Sequence, residues 1–314
     1  MEIRDVSIEE YKTFVVKPFS EFDTCDFIEL NKHKVDRVKY FIFNNSKNRF
    51  GLVAGIKDNT LKIPFSATFS CFSEIAHNNK IIHYYSAVKA LVEWAKNQNI
   101  KRIIICTPPI FYDTKHITKF QNALICNGFK VLDYDVNFQY DVHEFSQNYI
   151  DNLSSNSRRN LKIALKSNLS FEKTDDIESV YKIIKQNRKE KGFPLWMSLE
   201  DIKNTESIIK SDYFIVSNAQ NEKIASAYIQ HIKQGIVNIV YWGNIQKYDN
   251  LCPVNFMGYK IFEYYSKKKN INYVSIGTST LDSIPNTGLC DFKESIGCSC
   301  SPKLNFVYNN IKKG

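Results

Sequence analysis

The same order of predicted elements occurs twice along the chain, and this repetition limits its possible folds more than any other feature. Each half offers three strand-like runs, then a helix with one apolar face, then a further strand. In the first half these elements lie at residues 39–43, 50–56, 60–65, 81–96 and 102–106. In the second half they lie at residues 213–216, 224–232, 236–242, 254–265 and 273–276. The pattern predicts two copies of one α+β domain, each with a mixed, mainly antiparallel sheet flanked by helices.

Short stretches of sequence support the repeat. Residues 99–103 follow the first long helix and residues 270–274 follow the second, and both stretches begin with Asn-Ile. Apolar periodicity lapses at residues 145–156, which is typical of a connection between domains. We therefore place the first domain at residues 1–150 and the second at residues 151–314.

The composition supplies a core large enough for two domains, since 43% of the 314 residues are apolar. A formal net charge of +9 and a pI near 8.9 favour anionic partners such as phosphates, nucleotides, nucleic acid or an acidic membrane face. Eight cysteines without metal-ligand spacing indicate reduced thiols in a cytoplasmic protein. The charged N-terminus does not resemble a secretory signal, and no apolar run approaches the roughly 20 residues of a membrane span.

Several catalytic motifs are missing from the sequence. The six histidines lack partners at metal-ligand or triad spacing, so we predict no metal site. Neither a Gly-x-Gly-x-x-Gly turn nor a Gly-Lys-Ser/Thr phosphate loop is present. These absences argue against dinucleotide-dependent oxidoreductases and P-loop NTPases.

The stretch at residues 277–297 is the main candidate for function. It begins with Gly-Thr-Ser-Thr after an apolar strand, continues as a long polar segment, and ends in a Gly-Leu-Cys-Asp-Phe-Lys-Glu-Ser-Ile-Gly run. We expect a second strand to open at Leu289. A long, ordered polar loop between two apolar runs usually binds a ligand.

This arrangement resembles the FemAB-like (BioF2-like) branch of the GNAT acyltransferases. In that branch a strand ending in Gly-x-Ser/Thr-Ser/Thr precedes a Gly-Leu-x-x-Phe-Lys-x-x-x-Gly run. The resemblance covers most of residues 35–308 and implies two tandem GNAT-like domains. It also implies that Phe292 and Lys293 act at the reacting acyl group, where a fixed cation stabilises the oxyanion of the tetrahedral intermediate. We predict that the loop residues Ser279, Thr280, Asn286 and Gly288 bind substrate.

A basic segment follows the domain connection. Serines at residues 154–157 offer helix N-caps before Arg158 and Arg159, and Lys162 lies one turn further along the same face. Paired guanidinium groups near a helix N-terminus suit phosphate oxygens, so we assign these three basic residues to substrate binding. Solvated surface charge is the alternative interpretation.

The first domain offers one further candidate. Residues 108–112 read Pro-Pro-Ile-Phe-Tyr, similar to a Pro-Pro-x-x-Tyr run in the first domain of the family, and a helix is predicted from Thr114 to Cys126. Tyr112 is therefore expected to contact substrate, although a packed tyrosine in a proline-stiffened turn explains the pattern equally well.

The resemblance implies an acyltransferase of cell-envelope or polysaccharide biosynthesis with no bound cofactor. Its co-substrate would be acyl-CoA or aminoacyl-tRNA, and its acceptor an amino group on an anionic small molecule or a lipid- or nucleotide-linked glycan. Residues 249–256 lack the glycines that hold the CoA pyrophosphate in typical GNAT enzymes, which weakens the case for CoA. The leading hypothesis is an acyl-CoA-dependent N-acyltransferase. The alternatives are an aminoacyl-tRNA-dependent peptidyltransferase acting on a peptidoglycan precursor and a non-catalytic scaffold that binds nucleic acid or a partner.

Overall fold

The computed structural model describes residues 1–146 and 148–310. Gln147, which falls in the predicted domain connection, and residues 311–314, at the end of the predicted second domain, lie outside the described part of the chain. The chain forms two compact units. Unit 1 comprises Met1–Val136, Asp282–Ile284 and the C-terminal stretch from Ser301, and unit 2 comprises Asn137–Leu281 and Pro285–Cys300. The division at residue 150 stays a prediction. Each unit of the structure combines several stretches of sequence, so no single residue separates the two units.

The elements of the first repeat follow the predicted order. They are β1 (Glu2–Val6), α1 (Ile8–Phe14), α2 (Cys25–Asn31), β2 (Arg37–Asn44), β3 (Asn48–Lys57), β4 (Thr60–Ile63), β5 (Ser73–Glu74), α3 (Ile81–Asn97), β6 (Arg102–Cys106), α4 (Thr114–Cys126) and β7 (Lys130–Asp141). The 81–96 helix and the 114–126 helix of the sequence analysis correspond to α3 and α4.

The second repeat has the same order after one additional helix. Its elements are α5 (Ser155–Lys166), β8 (Ser170–Thr174), α6 (Ile177–Lys191), α7 (Leu199–Glu206), β9 (Ser211–Ser217), β10 (Lys223–Lys233), β11 (Gly235–Asn244), α8 (Pro253–Ser266), β12 (Ile271–Thr278), β13 (Thr280–Leu281), β14 (Ile284–Pro285), α9 (Thr287–Ser295) and β15 (Ser299–Asn309). Short 3₁₀ turns lie at Glu21–Asp23, Lys32–Lys34, Ile110–Tyr112, Val142–Glu144, Tyr149–Asn152 and Gln246–Leu251.

The strands of each unit form a mixed, mainly antiparallel arrangement. In unit 1 the order is β1-β2-β3-β4-β6-β15, and among the described pairings β4 and β6 run parallel. In unit 2 the order is β7-β12-β11-β10-β9-β8, and the parallel pair among the pairings described there is β11 and β12. A helix connects each parallel pair, as a crossover requires. The predicted fold class is therefore confirmed.

The last strand of each repeat is placed in the opposite unit. Strand β15, from the second repeat, pairs with β6 in unit 1, whereas residues 137–141 of β7, from the first repeat, pair with β12 in unit 2. Strand assignments by local pattern cannot detect this exchange, since it is set by pairing between residues distant in sequence.

Helices cover both faces of the strands in each unit. In unit 1, Tyr40, Ile42 and Val53 pack against α1 and α2, while Phe41 packs edge-on against Trp94 of α3. In unit 2, a cluster including Tyr213, Ile215 and Tyr228 packs against α6 and α7, and Phe214 packs against Tyr265 of α8. Successive strand residues point to opposite faces, so the strands of each unit are buried on both sides.

Candidate active site

Two parallel strands of unit 2 separate near the end of β12. β11 and β12 pair only as far as Asn238 and Ser275, although β11 continues to Asn244 and β12 to Thr278. A bulge in β11 lies just beyond this point, where Val240 is skipped in the register with β10. Because the pairing of β12 with β11 stops at Ser275, the last residues of β12 are free to make other contacts on that side.

The segment after β12 contains a helix that the sequence pattern did not predict. The prediction of a strand opening at Leu289 is wrong, because Thr287–Ser295 forms the helix α9. Asn286 is the N-cap of this helix, and its Oδ1 atom accepts a hydrogen bond from the Leu289 N–H at 3.1 Å. Gly297 ends the helix with a φ of +88°, a conformation that favours glycine, whereas Gly288 lies within the first turn.

Lys293 is buried between α9 and the end of β12. Its side chain is 2% exposed. Nζ donates hydrogen bonds to the carbonyls of Ile276 at 2.9 Å, Gly277 at 2.9 Å and Thr278 at 3.1 Å. An ammonium group has three donors, so these three contacts use all of them. Direct donation to a reacting oxygen would require one of the three hydrogen bonds to break.

The charge of Lys293 has no acidic partner within the described residues. The Phe138 ring lies 5.4 Å from Nζ, within the range of a cation–π contact. Burial lowers the pKa of Lys293 from its ordinary value of 10.5 to about 8, while the Cys298 and Cys290 thiols act in the opposite direction. The site therefore holds a desolvated cation whose pKa is lowered to about 8.

Three other predicted residues of this segment, Phe292, Ser279 and Thr280, are buried or half-buried. Phe292 is half-buried and its ring lies 5.9 Å from that of Trp242 on β11. Ser279 is 3% exposed, and its Oγ atom has no hydrogen-bond partner among the described residues. Buried hydroxyls normally have a partner, so an unpaired Oγ is a candidate contact for a ligand. Thr280 is half-buried at the start of β13.

Helix α5 presents only part of the predicted basic surface. Arg158 donates from Nη2 to the carbonyls of Asp151 at 2.5 Å and Leu153 at 3.3 Å, so its guanidinium fixes the preceding turn. Arg159 and Lys162 are exposed, and Arg159 donates only to a side chain of its own helix. Of the three basic residues, these two have the freedom to contact an anion.

Helices α5 and α9 are in contact through two serines. The Oγ atoms of Ser157 and Ser295 lie 2.6 Å apart, and Ser157 is buried on the face of α5 that also carries Leu161. The predicted basic helix and the Phe-Lys segment are therefore neighbours within unit 2. Leu165, one turn beyond Leu161, is 42% exposed.

Comparisons with known proteins reveal similarity in structure only. No family model and no curated protein matches the sequence. FemX has a TM-score of 0.69 over 98% of this chain and 97% of FemX, at 13% identity. L-PGS from Bacillus licheniformis has a TM-score of 0.59 over 99% of this chain and 94% of its own, at 12% identity. A tandem GNAT protein of the clavulanic acid pathway has a TM-score of 0.56 over 100% and 99%, at 7% identity.

The chain has a FemX-like tandem GNAT fold. The predicted resemblance is thus confirmed at the level of the fold. Identities of 13% or less do not transfer an activity or a substrate.

The FemX-like fold places nine of the ten predicted site residues in unit 2 and one in unit 1. That one is Tyr112, which is 4% exposed and packs 4.8 Å from the Phe69 ring. Its surroundings are those of a core residue of unit 1, and its contact with substrate stays a prediction.

The start of α8 differs from a phosphate-binding turn, as the sequence indicated. Cys252 adopts a φ of +51° before the helix, and Pro253 is the first helical residue and has no N–H to donate. Burial raises the pKa of the Cys252 thiol, while the nearby charge of Arg159 lowers it. In this FemX-like fold, Arg159 lies near the start of α8, where typical GNAT enzymes have a glycine-rich turn.

One polar cluster of unit 2 has no signature in the sequence. The Asp212 carboxylate is 3% exposed and accepts hydrogen bonds from His231 at 2.7 Å and Tyr265 at 2.8 Å, and it pairs with Lys173 at 2.5 Å. Burial raises the pKa of Asp212, but these hydrogen bonds outweigh burial and hold it well below its ordinary value. The four residues come from β8, β9, β10 and α8, so no local motif could indicate them.

Within residues 1–146 and 148–310, no group of three or more His, Cys, Asp or Glu side chains is arranged to hold a metal ion. No helix in this part of the chain is long and apolar enough to cross a membrane.

Proposed function

We propose that this chain is an acyltransferase that forms an amide on an amino group of an anionic acceptor, such as an envelope-glycan precursor or a nucleotide sugar. The observation that carries this proposal is the buried Lys293 ammonium at the end of β12, with no carboxylate among the described residues to neutralise it. Burial of a cation without a carboxylate partner costs stability, and groups perturbed in this way are concentrated at functional sites.

The reaction needs such a charge. The acceptor nitrogen attacks the acyl carbonyl carbon, a C–N bond forms, and the carbonyl oxygen becomes an oxyanion. The bond to the leaving group then breaks and the nitrogen loses a proton. A fixed cation close to the oxyanion lowers the energy of this intermediate more than that of the bound substrate.

Lys293 would act in this reaction through its position and its charge. Its three hydrogen bonds polarise the Ile276, Gly277 and Thr278 carbonyls. Within each of these peptide groups the N–H, which belongs to the next residue, becomes a stronger donor. In this proposal Lys293 is a positioning residue, Phe292 packs beside Trp242, and the buried Ser279 hydroxyl contacts the acyl group.

Acyl-CoA is the donor we propose first, because thioester donors are common among GNAT-fold enzymes. A second candidate is aminoacyl-tRNA. The start of α8 favours it, because Pro253 lacks an N–H and no glycine allows a pyrophosphate to approach the backbone closely. The basic residues Arg159 and Lys162 suit the phosphate groups of either a tRNA or an anionic acceptor.

The experiment is a donor assay with a defined product. Purified protein is incubated with acetyl-CoA or with aminoacyl-tRNA, each with an amino-bearing UDP-sugar, and amide formation is measured by mass spectrometry. The proposal expects amide with one donor only, and at least a hundredfold less with Lys293→Met. If neither donor yields amide while the protein still binds tRNA or a protein partner, the chain is a non-catalytic scaffold and the proposal is wrong.

A further inference from the structure

Unit 1 contains a basic cavity that is separate from the residues described above. Its volume is about 710 Å³, and it lies where α3 begins, beside the turn between β2 and β3. The charged and titratable residues of its lining are Lys47, Arg49, His77, Lys80 and His83. None of the described residues that line it is acidic.

The cations of this cavity are largely uncompensated. Lys47 and Lys80 are exposed, and Arg49 donates from Nε to the Asn45 side chain instead of to a carboxylate. Burial lowers the pKa of His83, and the charges of Arg49, Lys80, Lys47 and Lys119 lower it further. His83 thus senses a positive field from four neighbouring side chains, which would be relieved by a bound anion.

The wall of the cavity is held in place by its own hydrogen bonds. Asn79 is 4% exposed and donates to the Glu74 carboxylate at 2.9 Å and to the Ala76 carbonyl at 2.7 Å. Lys119 donates to the Asn79 carbonyl at 2.7 Å. Glu74, the acidic group close to this wall, also accepts from Tyr84, so its carboxylate is engaged in the wall. The backbone that carries these cations is therefore held in place by hydrogen bonds.

Large apolar side chains are exposed beside these cations. Ile81 and Ile82, the first two residues of α3, are 53% and 55% exposed and directly follow Lys80. Tyr85, one turn further along α3, is 38% exposed, and Ile125 on α4 is 49% exposed. The Asn127 side chain at the end of α4 donates to the Tyr85 carbonyl, so the two helices meet at this patch.

We propose that this face of unit 1, formed by Lys47, Arg49, Lys80, Ile81 and Ile82, binds the surface of an anionic membrane. Phosphate groups of lipids would enter the basic cavity, and the two isoleucines would enter the boundary between headgroups and acyl chains. Exposed isoleucines next to uncompensated cations match both components of such a surface. A soluble phosphate would use the cations but would leave the isoleucines in water, which is why a membrane fits better.

The test is sedimentation of the full-length protein with vesicles. Binding to vesicles containing phosphatidylserine is compared with binding to vesicles of phosphatidylcholine alone, at low and high salt. We expect binding only to the anionic vesicles and a decrease with salt. Lys47→Gln with Lys80→Gln should weaken binding about fivefold per charge. Ile81→Ser with Ile82→Ser should weaken it by about tenfold or more.

Matched control variants separate this surface from general charge and hydrophobicity. Lys185→Gln with Lys189→Gln removes two exposed charges from α6, and Val16→Ser with Leu165→Ser removes two exposed apolar side chains elsewhere. Both controls should bind vesicles like wild type. Absence of vesicle binding, an equal loss in the controls, or binding of inorganic pyrophosphate without vesicle binding would each overturn the proposal. The assay needs no acyl transfer, so its result is independent of the proposed activity.

Discussion

Helices α4 and α9 occupy the same place in the two repeats, yet they bury different kinds of residue. Each helix follows the second strand of a parallel pair, and each is capped by a side chain that accepts from the N–H of the third helical residue. Asp113 is the cap of α4 and Asn286 the cap of α9. The seventh helical residue is Phe120 in unit 1 and Lys293 in unit 2.

The two residues are equally buried but have different neighbours. Phe120 is fully buried, with its ring 4.6 Å from that of Phe72. Lys293 is 2% exposed and donates to three carbonyls at the end of β12. Unit 1 shows that the corresponding position can hold a buried apolar residue, so the repeated order of elements does not itself require a cation there. The cation in unit 2 is specific to its contacts with the end of β12, where we propose that it serves the chemistry.

Truncation of the apolar member of the pair should give the largest effect. Phe120→Ala removes a ring from a closely packed aromatic core, so we expect the free energy of unfolding to fall by about 3 to 5 kcal/mol. Urea denaturation measures this change. Phe120→Leu, which keeps most of the volume, should lose much less, and an equal loss in both variants would show that the site is not closely packed.

The charged member should make stability depend on pH. The folded-state pKa of Lys293 is about 8 and its ordinary value is 10.5, so the unfolded chain holds this proton more tightly than the folded chain does. Burial of the charge therefore lowers stability below pH 8, and this penalty is relieved as the pH rises from 8 towards 10.5. We expect the wild-type free energy of unfolding to gain about 2 kcal/mol from this group between pH 8 and 9.5.

The control for this pH dependence is Lys293→Met, which has no group to titrate. Urea denaturation at several pH values should show a gain in wild type that Lys293→Met lacks. If both proteins gain equally, the slope comes from other groups and Lys293 is not a strained cation.

The adjacent arginines of α5 should separate stability from binding, with smaller effects. Arg158→Ala leaves the Asp151 and Leu153 carbonyls without their donor and should cost about 1 kcal/mol of stability with little change in affinity. Arg159→Ala should leave the melting temperature nearly unchanged but lower the affinity for an anionic acceptor about tenfold. Calorimetric titration and thermal melts test both; the reverse outcome would show that Arg158 is the contact residue.

Much of the fold could be predicted from sequence because the long helices are strongly amphipathic. The predicted range of 114–126 is the range of α4, and the ranges of α3 and α8 differ from the predictions by one residue at the ends. Helix α9 was missed, since it is only nine residues long and is fixed mainly by the Asn286 cap and by contacts with β12. The exchange of β7 and β15 was missed because strand pairing is a non-local property.

The site was predictable only in its residue types. Sequence motifs indicated Phe292 and Lys293, but the expected exposed setting of a lysine gave no sign that Lys293 is buried with all its donors engaged. The basic pattern could not distinguish Arg158, which donates to the Asp151 carbonyl in the preceding turn, from the exposed Arg159. Such distinctions depend on side-chain partners that lie far apart in the sequence.

Single-turnover acyl transfer by Lys293→Met decides whether the buried Lys293 ammonium serves catalysis. Met removes the charge at nearly constant volume, and because three carbonyls lose their donor the assay should run well below the melting temperature of the variant. Lys293→Arg serves as the variant that keeps the charge. We predict that Lys293→Met binds donor and acceptor but transfers about a hundred to a thousand times more slowly than wild type, with partial recovery in Lys293→Arg. A folded Lys293→Met protein with a wild-type transfer rate would show that Lys293 has a structural role alone.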